Sequence, residues 1–250
     1  EKDLKSFFLN LEKKNIRGLN ITIPYKEVLL KHVKGMPNSA VSSIGATNTV
    51  VADKKGLRFF NTDYLGFLKH IKELRLRPQR VAIIGAGGAS KAICFALGKI
   101  KAREVAIFDI DHYRSLSLMK KFNDIFPATQ FKAVGSIEEL SLKSKDLLIN
   151  ASCVGMDPKD PLLINSAMIH QKLFIYDLIY NPPETKLLKL AKDNNLRFSN
   201  GLGMLLYQGA ESLNLWINPR KAPVKIMKSS LEKFCKYVPC KVNLIEYNPI

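Results

Sequence analysis

The chain of 250 residues carries 39 lysines and arginines against 22 acidic residues, a formal net charge of +17. Its length favours two domains, and a hydrophobic content of 46% is enough for a substantial core. It contains no apolar run of about 18 residues and no secretory signal pattern, so we expect a cytoplasmic protein that does not span a membrane.

The first third of the chain is predicted to form a small unit of helices and strands. Apolar residues recur at helical spacing in some segments and alternate with polar residues in others. The predicted elements are a helix over 3–14, a strand over 21–23, a helix over 26–33, a polar loop over 37–43, strands over 47–51 and 57–60, and a helix over 65–76.

From residue 81 onwards, strands and helices alternate, which predicts an α/β fold with a doubly wound parallel sheet. The predicted strands are 81–84, 105–108, 131–134, 146–150 and 174–178, and the predicted helices are 91–100, 113–122, 137–140, 185–194, 204–216 and 224–234. The tail over 236–250 has alternating apolar residues, which favour an edge strand or a contact with another chain.

A glycine-rich turn joins the first of these strands to its helix. Gly85, Gly87 and Gly88 follow the apolar run VAII, and Ser90 stands where the usual pattern has a third spaced glycine. Such a turn lets the backbone approach a pyrophosphate, which the positive end of the helix then attracts. Asp109 ends the next strand, 22 residues after Gly87, where an acid that binds the adenosine ribose is expected. The pattern therefore predicts dinucleotide binding.

Seven motifs in the correct order resemble those of shikimate dehydrogenases and their quinate-oxidising relatives. They are GLNITIPYKE at 18–27, GATNTV at 45–50, NTDYLGF at 61–67, GAGGASKA at 85–92, NASCVGM at 150–156, DLIYNPPETKLL at 177–188 and NGLGMLLYQGA at 200–210. The resemblance implies a Rossmann-type dinucleotide-binding domain over 64–202 and a smaller α/β substrate-binding domain over 1–63 and 203–250. It also implies hydride transfer between a nicotinamide and the ring alcohol of shikimate, which interconverts 3-dehydroshikimate and shikimate, with quinate as a further candidate substrate.

Lys26 and Asp63 match the family's catalytic pair. Oxidation of an alcohol requires a group that takes the hydroxyl proton, and a lysine held by a carboxylate can do this. Singly, Lys26 resembles a surface lysine and Asp63 a helix cap. Their joint occurrence in two family motifs favours catalysis.

The resemblance also implies a set of substrate-binding side chains. A ring with hydroxyls and a carboxylate needs converging hydrogen-bonding groups. The matching residues are Asn20, Thr22, Asn48, Tyr180 and Gln208. For Tyr180 and Gln208, packing between the domains is the alternative.

One part of the family pattern has no counterpart in the chain. The family begins with a strand and a loop whose two hydroxyl residues hold the substrate carboxylate, and nothing before Gly18 matches it. Residues 1–17 resemble the helix that follows that unit. We therefore expect the amino-terminal unit to be missing or supplied differently.

The residues after the second strand of the sheet favour NAD over NADP. The acidic Asp109-Ile110-Asp111 should accept hydrogen bonds from free ribose hydroxyls and repel a phosphate, although Arg114 could bind a phosphate or stack on adenine. The residues expected to contact the cofactor are Gly85, Ala86, Gly87, Gly88, Ala89, Ser90, Asp109, Asp111, Arg114, Asn150, Ala151, Ser152, Gly201 and Met204.

Two other classes of function remain as alternatives. A nucleotide-binding regulator would keep the fold without chemistry, but the intact catalytic pair counts against it. A nucleic-acid-binding protein is supported by net charge alone, and the lysines are interspersed with acids as on solvated helices. We expect a small-molecule substrate, no nucleic-acid or membrane partner, and a monomer or homodimer.

The cysteines predict neither disulfides nor a metal site. Cys94 and Cys153 are isolated, and the close pair Cys235 and Cys240 lacks a second pair or a nearby histidine. All four are expected to be free thiols.

Overall fold

Two sheets of unequal size organise the chain. The computed structural model describes residues 6–8, 11 and 15–237, and it describes side chains as far as residue 233. The strands are β1 (Gly18–Asn20), β2 (Met36–Pro37), β3 (Thr49–Asp53), β4 (Gly56–Phe60), β5 (Arg80–Ile84), β6 (Glu104–Phe108), β7 (Gln130–Val134), β8 (Leu147–Asn150), β9 (Phe174–Asp177) and β10 (Phe198–Ser199). The helices are α1 (Tyr25–His32), α2 (Ser39–Ile44), α3 (Asp63–Glu73), α4 (Gly88–Lys99), α5 (His112–Ile125), α6 (Lys186–Asp193), α7 (Leu202–Ile217) and α8 (Val224–Tyr237), with 3-10 turns at Glu138–Leu140, Leu142–Ser144 and Ser166–Met168.

The larger sheet has six parallel strands in the order β10-β9-β8-β5-β6-β7. The predicted doubly wound parallel sheet is confirmed. The chain runs from β5 outward through β6 to β7 and then returns to the other side of β5, where β8, β9 and β10 follow. The order of the strands therefore reverses at β5. In such sheets, ligands bind beyond the carboxyl ends of the strands at this reversal. The glycine-rich turn follows β5 and therefore lies at that point.

Alternate side chains along β5 enter two different cores. Val81 and Ile83 pack on the face that carries α3, α4, α5 and α7, where Met204 of α7 is also buried. Ala82 and Ile84 pack on the opposite face against α6. Because both faces of the sheet are covered, its strands are nearly continuously apolar, as is typical of parallel sheets.

The smaller sheet has the order β1-β3-β4-β2. Its first two pairings are antiparallel, and β2 lies parallel to β4. A separate apolar cluster covers it, with Leu29 of α1, Val41 of α2 and the strand residues Val50 and Phe59 at its centre. The division of the chain at residues 63/64 and 202/203 stays a prediction.

Two early predictions are wrong. The strand expected at 21–23 lies instead at β1, because Ile21 and Thr22 lead into a turn in which the Tyr25 amide donates to the Thr22 carbonyl at 2.8 Å. The loop expected at 37–43 contains α2, because Asn38 caps that helix by accepting a hydrogen bond from the Val41 amide at 2.9 Å.

The two ends of the chain lie partly outside the described residues. The helix predicted over 3–14 is described only at 6–8 and 11, and the tail over 236–250, predicted to form an edge strand or a contact with another chain, is described only to residue 237. Within the described ranges, no helix has the length and apolar character needed to cross a bilayer.

Candidate active site

Lys26 and Asp63 form an ion pair between α1 and α3. The Lys26 Nζ donates to Asp63 Oδ2 at 2.6 Å, and the two side chains are only 16% and 6% exposed. Asn61, rather than Asp63, caps α3, because its Oδ1 accepts from the amides of Asp63 and Tyr64 at 3.1 and 3.4 Å. The Asp63 carboxylate is therefore directed at side chains, and Lys26 is not an ordinary surface lysine.

Asn48 connects this ion pair to the helix α7. Its Nδ2 donates to Asp63 Oδ1 at 2.9 Å and to Gln208 Oε1 at 3.1 Å. Its Oδ1 accepts from the Thr62 amide at 2.6 Å, which fixes the orientation of the side-chain amide. Four of the residues selected from the sequence, Lys26, Asp63, Asn48 and Gln208, thus belong to one hydrogen-bonded group.

A cluster of hydroxyl groups supports Asn48 and was missed from the sequence. Ser212 Oγ lies 2.8 Å from Thr49 Oγ1 and 3.0 Å from Thr62 Oγ1, and it accepts from Asn20 Nδ2 at 2.9 Å. Thr49 and Thr62 lie within two of the seven motifs, and Ser212 lies one helical turn after Gln208. Membership of a motif was therefore the available signal for the two threonines. The cluster also gives Asn20 its place in the site.

Thr22 and Tyr180 are not part of this group. The side chains of both residues are exposed, and within the described residues neither has a side-chain hydrogen bond to the ion pair. Tyr180 follows β9, whereas Thr22 lies in the turn before α1. Their predicted contact with substrate stays a prediction.

The glycine turn after β5 approaches the end of β8 closely. Gly85 has φ +103°, and a Cβ atom there would lie 2.9 Å from backbone atoms of Ala151 and Ser152. Any other residue would be strained in its backbone and would clash. The turn ends at Gly88, where α4 begins and presents its amino-terminal amides beside Ala89 and the fully buried Ser90.

The start of α4 also lies against Lys26. A Cβ atom on Gly88 would lie 3.3 Å from the Lys26 Cβ and 3.5 Å from its Cδ. The turn expected to bind the pyrophosphate and the side chain expected to transfer the proton are therefore neighbours.

On the other side of the turn, Asn150 ends β8. Its Oδ1 accepts from the Ser152 amide at 3.1 Å, and its Nδ2 donates to Asp177 Oδ1 at 3.0 Å. Burial raises the pKa of Asp177 to about 6, although hydrogen bonds from Thr185, Ile179 and Asn150 oppose the shift. Asp177 thereby ties the end of β8 to the end of β9.

The start of α7 adjoins the end of β9. The Gly201 amide donates to the Ile179 carbonyl at 3.2 Å, and a Cβ atom on Gly201 would overlap the Leu178 carbonyl oxygen. Met204 follows one turn later and is buried in the main core. Gly201 and Met204 are thus held close to β9 by packing.

The acidic residues after β6 are engaged within the protein. Asp109 Oδ2 accepts from the Ala86 amide at 2.6 Å and its Oδ1 from the Asp111 amide at 2.9 Å. Asp111 caps α5 by accepting from the Tyr113 amide at 3.1 Å. The exposed Arg114 places its Nη2 3.7 Å from the position that a Cβ on Gly87 would take. The glycine turn is therefore approached by the Asp109 carboxylate at Ala86 and by the Arg114 cation at Gly87.

No group of three or more His, Cys, Asp or Glu side chains suited to a metal ion is found in the described part of the chain. Cys94 is a buried free thiol and Cys153 an exposed one. Cys240 lies outside the described residues, as does the side chain of Cys235.

Comparison with known proteins identifies the family. The model of the shikimate dehydrogenase substrate binding domain matches residues 1–50, and the model of the shikimate 5'-dehydrogenase C-terminal domain matches 201–232. Shikimate dehydrogenase (NADP(+)) of Caldanaerobacter subterraneus subsp. tengcongensis is 36% identical over 222 residues, which are 85% of this chain and 76% of the relative. The chain belongs to the shikimate dehydrogenase family.

Solved structures agree with this family assignment. Shikimate dehydrogenase from Aquifex aeolicus has a TM-score of 0.82 and 31% identity, with 92% of this chain and 82% of that chain covered. Quinate dehydrogenase from Corynebacterium glutamicum, solved in complex with NAD, also has a TM-score of 0.82, at 27% identity and with coverage of 92% and 83%. The family assignment made from the seven motifs is confirmed.

The preference for NAD expected from the sequence is wrong. Eight curated relatives, between 32% and 38% identical, are all named shikimate dehydrogenase (NADP(+)). The structure supplies a physical reason for the error. Both oxygens of Asp109 accept backbone hydrogen bonds, Asp111 caps a helix, and Arg114 lies beside the glycine turn. The acids have structural roles, and a basic group faces the turn.

Proposed function

We propose that the chain catalyses the reversible oxidation of shikimate to 3-dehydroshikimate with NADP as the hydride acceptor. The observation that carries this proposal is the 2.6 Å ion pair of Lys26 and Asp63, whose lysine packs directly against Gly88 at the end of the glycine turn. The names of the relatives supply the substrate and the cofactor. The intact pair also favours an enzyme over a nucleotide-binding regulator.

Lys26 is the proton-transferring residue in this proposal. In the direction of oxidation the alcohol loses its C–H and O–H bonds, and Lys26 takes the hydroxyl proton as the free amine and becomes the ammonium ion; in reduction the ammonium ion returns that proton. Asp63 fixes the position of the Nζ atom, and Asn48 in turn fixes Asp63. Because both partners are mostly buried, little water competes for the proton.

The substrate ring is held by the hydrogen-bonding group around Asn48. Gln208 and Asn48 bring their amides together from different elements, and Asn20 joins them through Ser212. Neutral donors and acceptors of this kind suit a polyhydroxylated ring. Thr22 and Tyr180 complete the proposed set.

The residues around the glycine turn fit an adenine dinucleotide with a 2′-phosphate. Gly85 lets the turn pack closely against the backbone of Ala151 and Ser152, and the start of α4 offers amide groups to phosphates. Arg114 is the proposed partner of the 2′-phosphate, while Asn150, Ala151, Ser152, Gly201 and Met204 border the rest of the cofactor. When bound, NADP accepts the hydride.

A steady-state assay of NADPH formation with shikimate tests the proposal, with quinate and NAD as comparison substrates. We expect shikimate-dependent reduction with higher kcat/KM for NADP, and a loss of roughly 10²- to 10⁴-fold in kcat for Lys26→Met. Lys31→Met, an exposed lysine on the same helix, is the matched control and should retain activity. Normal turnover by Lys26→Met, or no shikimate-dependent reduction by the native chain, would refute the assignment.

A further inference from the structure

A second ion pair, beside Lys26, joins the start of α1 to the start of α4. The Lys91 Nζ donates to Glu27 Oε2 at 2.6 Å. Glu27 follows Lys26 on α1, and Lys91 lies three residues after Gly88 on α4, on the same side of that helix. The ion pair therefore lies next to the contact between Lys26 and Gly88, one residue further along α1.

Both contacts are close. A Cβ on Gly88 would already press on the Lys26 Cβ at 3.3 Å, so the backbone of α4 lies directly against the lysine side chain. The side chains of Lys91 and Glu27 are 21% and 33% exposed, which shields their attraction from bulk water. An ion pair in this position resists any movement of α1 away from the glycine turn.

Helix stability does not explain Lys91. It lies near the amino end of α4, where the helix dipole disfavours a positive charge. Lys121 of α5 is a second positive charge near Lys91. The pKa of Lys121 is lowered by burial and, to a smaller extent, by the charge of Lys91, while the charge of Glu27 opposes the shift. The negative charge of Glu27 thus offsets the positive charges of two lysines on α4 and α5, the helices that pack on the larger sheet.

We propose that the Glu27–Lys91 pair is a latch that holds the start of α1 against the glycine turn and thereby sets the position of the Lys26 amine relative to the cofactor. The inference rests on the proposed function, since it assigns a task to the distance between Lys26 and the cofactor site. Glu27 and Lys91 are positioning residues, and proton transfer stays with Lys26.

The test compares Glu27→Gln, Lys91→Gln, the double variant and Lys91→Arg with the native chain. Measured quantities are kcat with shikimate and NADP, the Kd of shikimate from calorimetry, and Tm. We expect each neutral single variant to lose about tenfold in kcat, because a small displacement of a reacting group is costly. The Kd of shikimate should change less than about twofold and Tm by less than about 3 °C.

The double variant separates a latch from two independent roles. If Glu27 and Lys91 act through their pair alone, the double variant is no worse than either single variant. Lys91→Arg retains the pair and should keep most of the activity. Glu184→Gln breaks the remote Lys192–Glu184 pair on α6, joined at 3.2 Å, and should leave kcat unchanged.

The possible failures are distinguishable. An inactive native chain would overturn the proposed function and the latch together. An active native chain with unchanged single variants would overturn the latch alone. Additive losses in the double variant would show that Lys91 acts directly on the anionic cofactor and not through Glu27. Losses of kcat accompanied by a fall in Tm of more than about 3 °C would show that the pair is purely structural. Either result overturns the latch.

Discussion

Gly66 sets the distance between the helix α3, which begins at Asp63, and the helix α7, which carries Gln208. A Cβ atom at Gly66 would lie 2.7 Å from the Gln208 amide nitrogen, 2.7 Å from the Met204 carbonyl oxygen and 2.9 Å from the Gln208 Cβ. Two of these atoms belong to the backbone of α7 and cannot rotate away. Gly66→Ala therefore forces the two helices apart.

The size of the effect follows from these distances. Ordinary contact begins near 3.4 Å, so an added methyl group requires a separation of about 0.7 Å beyond the present 2.7 Å. The 3.1 Å hydrogen bond from Asn48 to Gln208 would then lengthen or break. Overpacking costs about 1–3 kcal/mol, and alanine regains about 1 kcal/mol in a helix. We expect a net loss of up to about 2 kcal/mol in the free energy of unfolding.

Urea unfolding and shikimate kinetics check this prediction. Because Gln208 and Asn48 would both be displaced, we expect kcat/KM for shikimate to fall at least about tenfold. Gly209→Ala is the matched control on α7, since the nearest atom to its Cβ is the flexible Met227 Cε at 3.9 Å. That variant should be fully active and equally or more stable. If Gly66→Ala behaves like Gly209→Ala, the close approach of the helices has no role in the site.

Two further variants test other parts of the structure. Gly85→Ala should weaken NADP binding by more than about tenfold in calorimetry, because residue 85 has φ +103° and an added Cβ would clash with Ala151. Unchanged affinity would contradict the proposal that the glycine turn binds the cofactor. Burial lowers the pKa of His70 to about 4, whereas the unfolded chain takes up that proton near pH 6.5. Stability should therefore fall by about 3 kcal/mol as the pH drops between these values, and His70→Asn should flatten the fall in urea unfolding, while the exposed His112→Asn should not.

Periodicity and turn chemistry were sufficient for most of the parallel sheet. Its strands are nearly continuously apolar, and a glycine turn such as the one after β5 is typical of a strand that leads into a helix. These elements were therefore predicted close to their observed bounds. The serine-rich α2 was missed because Ser42 and Ser43 obscure its apolar side, although the Asn38 cap was legible. Short strands such as Phe198–Ser199 depend on pairing with a neighbour and have little pattern of their own.

The local pattern and the motifs determined which residues carry the chemistry, because reacting groups must be of particular types. Only the packing of the whole chain decided which of them meet. Lys26 and Asp63 are 37 residues apart and touch because the fold brings the starts of α1 and α3 together, while Ser212 reaches Thr49 and Thr62 from α7. The direction of a side chain is likewise a tertiary property: backbone amides engage Asp109, and Arg114 lies at the turn. Neither contact could be read from the sequence, and the names of the relatives corrected the choice of cofactor.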